Sequence, residues 1–130
     1  MSTAIDIYND LASEYERNAD LVRPHIERVI QPFVDLLPQK GKILDVGCGV
    51  GIATELLTQA GFDVTGIDAS PQMVSFAQKR NPKTRILIGD FRNIEIADGF
   101  DGIVMQAFIH LFPSEETRAI LGKARELLRD

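Results

Sequence analysis

Ile43-Leu44-Asp45-Val46-Gly47-Cys48-Gly49-Val50-Gly51 is the stretch that decides the fold. Four residues, apolar but for the acid Asp45, run into three glycines at alternate positions. This pattern predicts a buried strand that breaks into a tight turn. A helix is expected next, from about Ile52 to Gln59. Glycine carries no Cβ, so backbone at such a turn can approach a ligand closely. A helix start adds N–H groups that lack intrahelical partners. Dinucleotide folds use G-x-G-x-x-G, where a pyrophosphate meets the helix start. Here the spacing is G-x-G-x-G, with an acid two residues before the first glycine.

Three further stretches follow the same logic. Phe62-Asp63-Val64-Thr65-Gly66-Ile67-Asp68 reads as a second strand ending in an acid, about twenty residues past the loop. Nucleotide folds place a ribose-binding carboxylate at that spacing, and Asp68 could accept both ribose hydroxyls. Asp68 could equally be a solvated acid in a strand-to-helix turn, with Ser70 as N-cap and Pro71 at the first helical position. Arg85-Ile86-Leu87-Ile88-Gly89-Asp90-Phe91 reads as a third strand, and its Asp90 is either a ligand contact or a turn aspartate. Phe100-Asp101-Gly102-Ile103-Val104-Met105-Gln106-Ala107 reads as a fourth strand, ending near Gln106.

Together these stretches resemble the class I S-adenosylmethionine-dependent methyltransferases, small-molecule type, from about Tyr8 onward. The resemblance implies a Rossmann-like α/β fold: a parallel sheet in spatial order 3-2-1-4 with helices on both faces. It implies S-adenosylmethionine as cofactor and S-adenosylhomocysteine as product. It implies a cofactor site built from Asp45, Gly47, Cys48, Gly49, Gly51, Asp68, Ala69, Met73, Asp90, Phe91 and Gln106. In that site Asp90 accepts from the adenine amino group and Phe91 flanks the ring. The family normally continues past a fourth strand, so a chain ending at Asp130 is expected to lack strands five to seven and much of the substrate half. A cofactor-binding module inactive by itself is therefore one alternative, and an NAD(P)-binding oxidoreductase domain is another. Strand four would then be an apolar edge (Ile103, Val104, Met105, Ala107, Ile109), which invites pairing with a second copy.

Outside the core, residues 1–37 read as N-terminal helices and 42–130 as the cofactor-binding core of one domain. Tyr8-Asn9-Asp10-Leu11-Ala12-Ser13-Glu14-Tyr15 resembles the helix that closes over the cofactor in small-molecule methyltransferases; Tyr15 is the contact expected, and simple packing is the other reading. A second helix is expected over 22–37, with Val22, Ile26, Val29, Ile30, Phe33, Leu36 and Leu37 on one stripe and a kink at Pro32. His25 reads as a surface or packing residue. A last helix is expected after Phe112-Pro113, capped by Ser114. His110 is the candidate base, just past strand four, or else a partly buried structural histidine.

Composition narrows the partners. The chain has 130 residues, 45% of them hydrophobic and 25% charged, with a formal net charge of −5. That balance disfavours a nucleic-acid partner. No apolar run is long enough to span a membrane, and the N-terminus is unlike a secretory signal. The single Cys48 fits a reducing, cytoplasmic setting and reads as a small buried residue. No metal-ligand spacing occurs. The expected acceptor is a small organic molecule: Gln106-Ala107-Phe108-Ile109 stands where amino-methylating DNA enzymes carry Asp/Asn-Pro-Pro-aromatic.

Overall fold

A computed structural model describes residues 4–106 and 113–129. Two helices lead, α1 (Ala4–Arg17) and α2 (Ala19–Asp35). The core follows as β1 (Lys42–Val46), α3 (Ile52–Gln59), β2 (Asp63–Asp68), α4 (Pro71–Arg80), β3 (Arg85–Ile88), β4 (Gly102–Val104) and α5 (Ser114–Leu127). The sheet order is β3-β2-β1-β4, with every pair parallel. The expected α/β architecture and winding are thus observed.

Strand periodicity explains the layers. Alternate residues of a strand face opposite sides. Leu44 and Val46 of β1 pack with Ile67, Phe91 and Phe100 beneath Ile120, Ala124 and Leu127 of α5. Ile43, on the other face, packs with Leu57, Phe62, Val64 and Ile30, beneath α2 and α3. Asp45 shares that second face, so its carboxylate is carried toward α3. A third cluster joins α1 to α3 and α4 through Ala12, Ala19, Val50, Ile52 and Met73. β1 lies centrally, and Ile43 through Val46 are all buried.

Several local expectations are corrected. α2 begins at Ala19, before the expected Val22, and keeps helical assignment through both Pro24 and Pro32. Both prolines are exposed, so the carbonyls they leave unpaired can meet water. The buried stripe of α2 is Ile26, Ile30, Phe33 and Leu37. Val29 and Leu36 are exposed, at 48% and 87%. At 3.6 residues per turn they sit roughly 60° and 80° to one side of Ile26, beyond the buried face. Ser114 is the first helical residue of α5, not its cap; Pro113 occupies the cap position without a side-chain bond. β4 is Gly102–Val104, shorter than the expected strand from Phe100 to about Gln106. Its outer edge begins to be covered from an unexpected source. Asp101 N–H points inward to Lys42 O, while Phe100 N–H donates to Leu127 O and Phe100 O accepts from Arg129 N–H. Phe100 and Leu128 form a parallel bridge there, at the position where a fifth strand would lie.

Candidate functional site

The carboxyl ends of β1, β2 and β3 open into a cleft of about 640 Å³, with α1 and α2 forming its opposite wall. The turn after β1 places Gly47, Gly49 and Gly51 at φ of 71°, 56° and 88°, in the left-handed region. Gly51 is the N-cap of α3. The N–H groups of the three glycines and of Cys48 are spent inside the protein. Gly47 and Cys48 both donate to Ile67 O (2.8 and 3.0 Å), and Gly51 donates to Cys48 O (3.0 Å). Gly49 N–H donates to Asp68 Oδ2 (2.9 Å). What Gly49 offers the cleft is bare backbone, since a Cβ there would meet nothing within 4 Å.

Asp68 closes β2. Its Oδ1 accepts from Ser70 N–H at 2.9 Å and its Oδ2 from Gly49, leaving about two of its roughly four acceptor positions. Burial raises its pKa, against the lowering effect of the two N–H bonds. Ser70 caps α4 by accepting from Met73 N–H (3.2 Å), and Pro71 begins the helix. Ala69 and the buried Met73 line the cleft beside it.

Asp45 is 2% exposed. Its Oδ2 accepts from Thr54 Oγ1 at 2.7 Å. Burial pushes its pKa up to about 6, opposed by the Thr54 bond and helped by the charge of Asp68. Among the described residues no cationic side chain pairs with Asp45 or Asp68. Burial raises the Cys48 thiol well above its ordinary value, so it is a packed, unreactive residue.

At the far end, Asp90 and Phe91 line the cleft. The Phe91 ring packs in the core below α5, and Asp90 is gripped by Arg92. From the wall, Tyr8 and Tyr15 stack with ring centroids 6.0 Å apart. Burial, Tyr15 and the Asp68 charge raise the Tyr8 pKa. Polar ties hold α1 in place: Ser70 Oγ bonds Asn9, Arg80 pairs with Glu16, and Arg80 Nε donates to Val50 O at 3.1 Å.

The structure brings Tyr15, Asp45, Gly47, Cys48, Gly49, Asp68, Ala69, Met73, Asp90, Phe91 and Gln106 around one cleft. Gly51 does not line it; it packs against Ala77 and Asn81. His110 lies outside the described residues. Sequence reasoning missed Arg92 and His25, which both line the cleft. His25 lies between Val22 and Ile26, at helical spacing on one side of α2. That was a readable signal only once the face of α2 turned to the glycine loop was known. Among the described residues no group of three or more His, Cys, Asp or Glu is placed to hold a metal.

Residues 43–130 match the family described as "Methyltransferase domain". The chain belongs to this family. More closely, it is a class I S-adenosylmethionine-dependent methyltransferase in fold and kinship. It is 38% identical over 97 residues to an uncharacterized methyltransferase of Alkaliphilus oremlandii, covering 72% of this chain and 45% of that one. It is 36% identical over 86 residues to the malonyl-[acyl-carrier protein] O-methyltransferase of Pectobacterium atrosepticum, covering 65% and 32%. The crystal structure of a TehB-like methyltransferase from Corynebacterium glutamicum superposes with a TM-score of 0.73 at 27% identity, covering 90% and 66%. The chain thus spans less than half of those two curated relatives.

The family's cofactor is S-adenosylmethionine, and the donor set of this cleft fits it. Gly49 leaves space against bare backbone, Asp68 keeps free acceptor positions, and the two desolvated carboxylates pair with no cation among the described residues. Gly49 and Gly51 should separate binding from stability. Gly49→Ala adds a methyl group to open space, at a conformational cost of about 1 kcal/mol. It is expected to weaken S-adenosylhomocysteine binding about tenfold. Gly51→Ala places a Cβ 2.7 Å from Asn81 Nδ2 and 3.0 Å from Ala77. It should cost about 3 kcal/mol, on the order of 10 °C in Tm. Calorimetry and thermal unfolding of the two variants check this contrast.

Proposed function

We propose that this chain carries the cofactor half, and part of the acceptor half, of an enzyme that methylates a small organic molecule. The observation that supports the reading is a turn whose glycine N–H groups are all spent internally, flanked by the buried Asp45 and the half-buried Asp68, neither paired with a cation among the described residues. A pyrophosphate needs donors and dislikes carboxylates; a sulfonium or ammonium group needs the reverse. The oxidoreductase alternative is disfavoured on the same ground.

When bound, the cofactor supplies an electrophilic methyl group on a sulfonium that departs as a neutral thioether. In this reading Asp68 accepts from the ribose hydroxyls, Asp90 from the adenine amino group, and Asp45 supplies negative potential toward the methionine end. Gly49 gives the ligand its floor. Tyr8 and Tyr15 cover it and exclude water. Gln106 faces the transferring methyl, and His110 is the base if the acceptor needs one. Alignment of the acceptor does most of the catalytic work. Ile5, Val22 and Ile26 make the outer cleft apolar, with His25 as its titratable side chain. That lining supports a small organic acceptor. A cytoplasmic location, no nucleic-acid partner, and self-association along the β4 edge complete the reading. No described helix is long and apolar enough to cross a membrane.

Calorimetry with S-adenosylmethionine, S-adenosylhomocysteine and NAD tests the core of this proposal. The first two should bind and NAD should not; the opposite pattern would overturn it. Limited proteolysis near Asn18 should slow when S-adenosylhomocysteine is added, because α1 covers the site. Methyl transfer to a metabolite panel then separates an active enzyme from a binding module.

A further inference from the structure

The turn after β3 is built around one arginine. Gly89 N–H donates to Asp68 O at 3.0 Å, and Asp90 O accepts from Asn93 and Ile94 N–H, both at 2.9 Å. The Asp90 carboxylate then takes Arg92 as a fork. Oδ1 accepts from Arg92 N–H (2.9 Å) and Nε (3.0 Å), and Oδ2 from Nε (3.1 Å) and Nη2 (2.6 Å). The outer nitrogen of the same guanidinium, Nη1, reaches Glu116 Oε1 on α5 at 2.9 Å. Lys123, also on α5, donates to Phe91 O and Ile94 O, both at 2.5 Å. Its Nζ lies 4.9 Å from the centre of the Phe91 ring. Three side-chain links therefore tie this turn to a helix on the far face of the sheet.

We infer that Arg92, held by Glu116, is the positioning residue that makes the Asp90 turn selective for a 6-amino purine over a 6-keto purine. The inference rests on the cofactor reading above. A carboxylate has about four acceptor positions and, while charged, no donor. Arg92 meets them with three N–H groups, its Nε–H shared between the two oxygens, so about one position is left for an incoming N–H from the cleft that Asp90 lines. The adenine amino group supplies one; a 6-keto oxygen supplies none and meets the carboxylate oxygen directly. A neutral carboxyl would reverse this, because its O–H could donate to the keto oxygen. The guanidinium next to Asp90 holds its carboxyl below the usual carboxylate range, chiefly by hydrogen bonding and despite partial burial. Fork geometry matters as well as charge: a planar guanidinium fixes both oxygens, whereas an ammonium fixes one point.

Calorimetry with S-adenosylhomocysteine and S-inosylhomocysteine tests the inference. The wild type should prefer the adenosyl compound. Arg92→Ala should lower that preference about tenfold. Arg92→Lys should restore only part of it, and Glu116→Gln should lower it less than Arg92→Ala. A role confined to stability would move Tm, or both affinities together, and leave their ratio alone. An Arg92→Ala protein that binds with the wild-type ratio overturns the inference. If Arg92→Ala does not fold, Glu116→Gln and Arg92→Lys decide by the same ratio. Wild-type protein that binds neither compound overturns the cofactor reading itself.

Discussion

Asp68→Ala is expected to weaken S-adenosylhomocysteine binding by on the order of a hundredfold or more. On the proposed reading two ribose hydroxyls lose a charged acceptor, and hydrogen bonds to charged groups are worth about 1.5–3 kcal/mol each. The same carboxylate accepts from the N–H groups of Gly49 and Ser70. Its loss therefore also loosens the glycine turn that floors the cleft. The fold should survive, because relief of the buried charge, which raises the Asp68 pKa, offsets part of what those two bonds return. Calorimetry should show the affinity loss while Tm falls by a few degrees. Near-wild-type affinity would remove Asp68 from the site.

Asp45→Asn is expected to move affinity and stability in opposite directions. The folded-state pKa is about 6 against an ordinary 3.8. Between those values the folded protein binds the extra proton, so the contribution of this group to stability falls as pH rises from about 4 to 6. Above pH 6 the buried charge costs about 3 kcal/mol. Asparagine keeps an acceptor for Thr54 but leaves its NH₂ donors to find partners. At pH 7.5 the ligand-free variant should gain about 1–2 kcal/mol, or about 5 °C in Tm. The gain should vanish by pH 4, where Asp45 is already protonated in the folded state. S-adenosylmethionine affinity should drop roughly thirtyfold, because a carboxylate near the cationic end of the ligand is gone. Thermal unfolding across pH and calorimetry at pH 7.5 check both halves. A variant less stable than wild type at pH 7.5 would show that the buried charge is not a burden.

Much of this was legible because it is local chemistry. The glycine turn and the start and end of α3 follow from residues adjacent in sequence. Ser70 and Pro71 mark the start of α4 through cap and φ preferences that hold in any context. Strand order followed from right-handed crossovers and from the family resemblance. The missed features depend on partners far apart in the chain. Nothing near Arg92 announces Glu116, and the exposure of Val29 and Leu36 depends on how α2 lies across the sheet. Gly51 illustrates a subtler failure. It sits in the motif, but its φ and its contact with Ala77 serve helix packing, and spacing alone does not separate that duty from ligand contact. Ser114 has the residue type of a cap, yet Pro113 supplies the turn geometry first.

The carbonyls at the ends of the strands have an implication for how tightly a ligand can be held. Ile67 O receives the turn after β1, and Asp68 O receives the turn after β3. The turns after β1 and β3 are each laced to the end of β2 before anything enters. A guest then meets a rim whose freedom was surrendered during folding, so binding energy is not drained into freezing it. Whatever entropy arrival still costs falls on α1, where Asn9 and Glu16 hold a helix of about four turns against α4 through a few polar ties. Exchange of ligand should therefore be timed by that helix, over a floor that hardly stirs.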